Sequence, residues 1–172
     1  MKEKPFHVIR SAGIEFTQDQ WHAYLNAVYK GERERISTTF GKYTFNDGDI
    51  CMNPDKQVIK AKDGAYGYEV TLSYAECGNG LWSFGLDYNL GTGGGGYGVA
   101  WADITGNDKS WRNGYPSEQE CKVAGWRKAL TYIGNHGHNE RVSPANKLRQ
   151  MIEDEIKRLT RPQVVQLELF DF

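Results

Sequence analysis

The sequence predicts an α+β fold, a twisted antiparallel sheet of about three to five strands with helices packed mainly on one face and an extended C-terminal tail. Two observations carry this. The middle of the chain alternates apolar and polar residues with period two, as a half-buried strand requires. Around it lie three stretches with helical spacing, each opened by a capping residue.

The first helix is expected within IEFTQDQWHAYLNAVYKGE. Thr17 and Gln20 make a capping box, and Phe16 and Trp21 sit where a hydrophobic staple packs. Trp21, Tyr24, Leu25 and Val28 then recur on one face, and Gly31 is the expected stop. Tyr43 to Phe45 and Gln57 to Ala61 are candidate early strands. GYEVTLSY aligns Tyr66, Tyr68, Val70, Leu72 and Tyr74, and LWSFGLDY aligns Trp82, Phe84, Leu86 and Tyr88. A third candidate, YGVAWAD, aligns Tyr97, Val99 and Trp101. Short connections between these runs favour an antiparallel meander with one face covered.

The second helix follows in SEQECKVAGWRKALTYIGNHG, with Ser117 and Glu120 as a capping box and Gly134 as the stop. Cys121, Ala124, Leu130 and Ile133 are expected to face the sheet. In SPANKLRQMIEDEIKRLTRP, Ser143 caps, Pro144 takes the first position and Pro162 ends the helix. Leu148, Ile152, Ile156 and Leu159 form its apolar stripe. One α+β domain over residues 1–161 and an extended peptide over 162–172 follow from this layout.

Composition narrows the function. With 39% hydrophobic and 13% aromatic residues the chain can build a packed core, so wholesale disorder is excluded. A net charge of -1 argues against a strongly basic nucleic-acid binder. No membrane span is expected, nor a signal peptide, since MKEKPFHVIR has no apolar core. Three widely spaced cysteines, Cys51, Cys77 and Cys121, suit free thiols in a reducing cytoplasm.

Motifs of catalysis are thin. GTGGGGYG lacks the Lys-Ser/Thr pair of a phosphate loop and reads as a flexible hairpin connection. HGHNE (136–140) places two histidines in a Gly-broken loop without further ligands, so no metal or cofactor is expected. Ser83 and Ser110 have no nearby histidine, and Glu153, Asp154 and Glu155 read as a solvated helix face. Glu15 and Asp19 straddle a helix start, where acids suit the dipole. No catalytic residue is assigned, and the chain reads as a non-enzyme.

Aromatic residues on a sheet can stack unpaired bases, which makes Trp82, Trp101 and Trp111, with Arg158 and Arg161, candidate nucleic-acid contacts. Arg33, Arg35 and Lys157 would extend such a surface to the helices. The even-numbered aromatics, however, share a face with Leu72 and Leu86, the pattern of a core.

The segment Gln166-Leu167-Glu168-Leu169-Phe170 closely resembles the peptide by which bacterial replication proteins dock on the sliding clamp, the ring-shaped DNA polymerase III β subunit. That family's pattern is Gln-Leu-x-Leu-Phe, often with Ser or Asp at the third place, where this chain has Glu168. The resemblance implies that Gln166 bonds at the edge of the clamp's pocket. It also implies that Leu167 packs beside it and that Leu169 and Phe170 fill it. It implies a partner protein and leaves the domain's fold open. Val165, Leu167 and Leu169 also alternate, so a terminal strand completing the chain's own sheet is the other reading. Phe172 has no assigned role. Tyr66 to Ile133 is more loosely similar to small β-β-α modules of uncharacterised and DNA-metabolism proteins of phages and plasmids, which implies a mobile-element origin and no catalytic residue.

Overall fold

The computed structural model describes residues 4–63, 66–91, 93–106, 112–136 and 143–162. Trp111, residues 137–140 of HGHNE and the Gln166–Phe170 motif lie outside them, as does nearly all of the 162–172 peptide. The fold is α+β. Its centre is a four-stranded antiparallel sheet of β5 (Asp55–Asp63), β6 (Tyr66–Glu76), β7 (Trp82–Asn89) and β8 (Gly94–Tyr97), in sequential order. Two helices, α2 (Glu118–His136) and α3 (Ser143–Thr160), cover one face.

Register decides which residues meet the helices. Leu72 lies opposite Leu86, Val70 opposite Tyr88 and Ile59, and Tyr74 opposite Phe84. Opposed residues share a face, so the period-two apolar runs form one continuous surface. Cys121, Trp126, Ala129 and Ile133 of α2 and Leu148 and Ile152 of α3 bury against it. Each large side chain so buried contributes roughly 1.5–3 kcal/mol. Ile156 and Leu159 complete the α3 stripe at its edge. Ala124 is only half buried, whereas Trp126 is 0% exposed and anchors the helix. Gly125 permits the close approach, because a Cβ there would lie 2.4 Å from a Leu72 methyl.

Capping chemistry sets the helix starts. Ser117 Oγ accepts from Glu120 N at 3.2 Å. In α1 (Gln18–Tyr29) both halves of the Thr17–Gln20 box are present, and the Phe16 and Trp21 rings meet edge-on at 5.4 Å. Gly134 does not stop α2, which runs on to His136; a helix end needs a left-handed residue or a lost bond, and a glycine alone imposes neither.

GTGGGGYG also differs from expectation. Gly94 to Tyr97 is strand β8, hydrogen-bonded to β7. The strands lie so close that a Cβ at Gly85 would be 2.4 Å from the Tyr97 carbonyl oxygen. Glycine serves contact here rather than flexibility. Val99 and Ala100 follow as buried coil, with Ala100 bridged to Ile50, so YGVAWAD is a strand only up to Tyr97.

The opposite face is capped at one end by a second cluster. It contains Tyr43 and Phe45 of β4 (Tyr43–Phe45), which pairs with β3 (Thr38–Phe40), together with Cys51, Cys77, Val99 and Ala102. A third cluster joins Ile9, Phe16 and Tyr24, from β1 (His7–Ile9), β2 (Ile14–Phe16) and α1. A short parallel pair, β9 (Ile104–Thr105) with β10 (Asn113–Gly114), closes the edge near Leu81.

Candidate functional site

Trp82 and Trp101 are engaged in packing. The Trp82 ring lies 6.2 Å from Tyr43 and 6.4 Å from Tyr74 and touches both sheet-face clusters. Trp101 packs on the second cluster, and its indole N–H donates to the Cys77 carbonyl at 2.6 Å. Both are half-buried, with part of each ring committed to the core. Arg158 forks onto Glu155 through two bonds of 2.7 Å, and Glu155 also accepts from Gln57 Nε2 at 2.7 Å. Of the 153–155 acids, Glu155 is therefore a bridge from α3 to β5, and the Arg158 hydrogen bond holds its carboxyl below the usual range. Arg35 is tied to Asp47, and the Arg33 guanidinium lies 5.1 Å over the Tyr24 ring. Arg161 is exposed beyond the last turn of α3.

The end of α3 is where the described chain leads to the motif. Gln119 Nε2 donates to the Leu159 carbonyl, so the last turn of α3 is tied to the first turn of α2. Two hollows flank this junction. One, about 300 Å³, is polar and bordered by Glu118, Lys122, Arg158 and Arg161. The other, about 420 Å³, runs along α2 and is lined by Tyr115, Ser117, Glu120, Val123, Ala124, Arg127 and Thr160. Its wall repeats at helical spacing, with small and apolar residues at 123 and 124 and a cation one turn on.

No protein-family model, curated protein or solved structure matches the chain. The functional reading therefore rests on the chain's own residues. Among the described residues no group of His, Cys, Asp and Glu could hold a metal ion. No helix among them is long and apolar enough to cross a membrane.

The most strongly built polar feature was not legible in the sequence. Asp49, 1% exposed, sits at φ 61 in a turn held by Asn46, whose Oδ1 accepts from Gly48 N at 2.9 Å and Ile50 N at 3.0 Å. Its carboxylate accepts from Arg10 N and Ser11 N at 2.9 Å each and from Ser11 Oγ at 2.7 Å, and the Arg112 guanidinium stands 3.4 Å away. A carboxylate offers about four lone-pair sites, and all are used. Arg112 also donates to the Trp101 carbonyl at 3.1 Å, and Trp101 N donates to the Asp49 carbonyl at 2.8 Å. Burial pulls the Arg112 guanidinium down, and the nearby Asp49 charge opposes that. Asp47 beside it accepts from the Tyr24 hydroxyl at 2.9 Å and Arg35 at 2.8 Å. With every acceptor occupied, Asp49 has no free lone pair for proton transfer; it clasps the N-terminal unit to the sheet. The only sequence signal was the turn-forming run Asn46-Asp47-Gly48-Asp49.

Proposed function

We propose that this chain is a non-enzymatic accessory protein of bacterial or mobile-element origin that docks on the DNA sliding clamp through Gln166 to Phe170. The observation that carries the reading is the match of Gln166, Leu167, Leu169 and Phe170 to all four specified positions of the clamp-binding peptide. The end of the last helix supports it. Pro162 follows two residues after α3 ends and biases the residue before it toward extended backbone. An extended peptide places alternate side chains in pockets. Burying Leu169 and Phe170 contributes roughly 1.5–3 kcal/mol each. Ordering the segment offsets part of that, so the dissociation constant is expected in the micromolar range.

Calorimetry with purified clamp tests this. The full chain is expected to bind, and Leu169→Ala with Phe170→Ala to weaken binding at least ~100-fold, as loss of two buried anchors requires. Absence of binding, or equal binding by the double variant, overturns it. On this reading the domain is the cargo, brought to replicating DNA or set in competition with polymerases.

A further inference from the structure

We propose that α1 pairs with α1 of a second copy of this chain, antiparallel about a two-fold axis centred near residue 25, so that the chain forms a weak dimer. The helix has two faces. Trp21, Tyr24, Leu25 and Val28 pack in the third cluster. Asp19, Ala23, Asn26, Ala27 and Lys30 recur at steps of three and four residues and share the face turned away from it. Ala23 and Asn26 are exposed and Ala27 is half-buried, so the described residues leave this face largely open. Two alanines at its centre let another helix approach to about 8 Å, the close end of helix packing. Beside this seam lies a hollow of about 400 Å³ bordered by Gln20, Ala23, Ala27 and Arg33.

Charge and register point to a second copy as the occupant. Asp19 stands in the first turn of α1 and Lys30 caps its end, about 16 Å away along the axis. Both are exposed, and neither makes an ion pair among the described residues. Antiparallel pairing sets each acid against the cation of the other copy. The same register serves the flank of the seam. There His22 meets the Phe6 ring edge-on at 5.9 Å, and Tyr29 follows about two turns on. Phe6 is 55% exposed and Tyr29 75%, the latter although the Arg35 guanidinium lies 5.9 Å over its ring. The midpoints of Asp19–Lys30, Ala23–Ala27 and His22–Tyr29 all lie within one residue of position 25. One alignment therefore pairs the charges, seats alanine against alanine and brings each Tyr29 to the Phe6–His22 pair of the other copy. Contact of this isologous kind closes on itself, so association stops at two.

A helix of 12 residues is about 18 Å long, so the interface is smaller than that of a permanent dimer, and a dissociation constant of about 10⁻⁴ M is expected. Sedimentation equilibrium of the full chain, up to about 1 mM, measures it. Asp19→Lys and Lys30→Asp each place like charges together at two symmetry-related points and should weaken the dimer roughly tenfold. Combined, they restore opposite charges and should recover most of the loss. Tyr29→Ala, at a largely exposed side chain, should weaken the dimer and leave the circular dichroism unchanged. A chain that stays monomeric throughout overturns the proposal, whatever the variants do. A dimer that Tyr29→Ala leaves equally tight forms through another surface and overturns it as well. A folded double-charge variant that pairs no better than the single ones overturns the antiparallel register.

Discussion

At Asp49 two costs meet in one residue. Its left-handed backbone is strained for any side chain, although Asp and Asn tolerate it best. Its buried charge must be matched, and Arg112 and the Arg10–Ser11 donors do so. Asp49→Ala leaves Arg112 uncompensated and the Arg10 and Ser11 donors unbonded, and is expected to cost about 3–5 kcal/mol in urea denaturation. Asp49→Asn keeps the conformation and part of the bonding, so its loss should be smaller. Such a clasp is hard to read from sequence because its partners are remote; Ser11 is 38 positions away. The clamp-type motif is the opposite case. Its five residues are contiguous, so it is legible without any fold.

At the scale of elements, legibility follows from where the information sits. β6 and β7 announce themselves through alternation, because one face meets helices and the other does not. Capping signals are equally local: the Thr17–Gln20 box is complete, and of the Ser117–Glu120 pair the Ser117 cap is present. β8 was not, since three glycines have no side-chain period and the cause of the run is β7 pressed against it. β1 and β2, three residues each, are too short to alternate audibly above noise. The groove beside α2 depends on which sheet edge the helices leave open, which only the packing decides. Substitutions at two glycines check the close contact directly. Gly85→Ala drives a Cβ into the Tyr97 backbone and is expected to cost about 1–3 kcal/mol. Gly93→Ala meets nothing within 4 Å and is expected to be neutral or stabilising by up to about 1 kcal/mol. Equal losses at the two sites in thermal unfolding would refute the close-contact account.

For the whole molecule, acid is the expected weakness. The Lys42 hydrogen bond, then that of Tyr43, holds the Asp55 carboxyl below its usual range, and Arg158 does the same for Glu155. A carboxylate depressed in the folded state adds stability that is complete above its unfolded value, near pH 4. That contribution is lost as pH falls through the folded value. Urea midpoints are expected to drop as pH falls below about 5, and Lys42→Met with Arg158→Met to flatten the slope. The Lys42–Asp55 pair is largely exposed, so salt should weaken its part of the effect. The buried cysteines carry one more implication. Burial raises all three thiols, Cys77 to about 11, and leaves none at the surface. Cys51 and Cys77 lie in the cluster over one sheet face, and Cys121 lies under the helices on the other. The molecule thus contains its own clock for each side of the sheet. Alkylation of each thiol waits for that layer to open, and the relative rates say whether the two sides part together or one at a time.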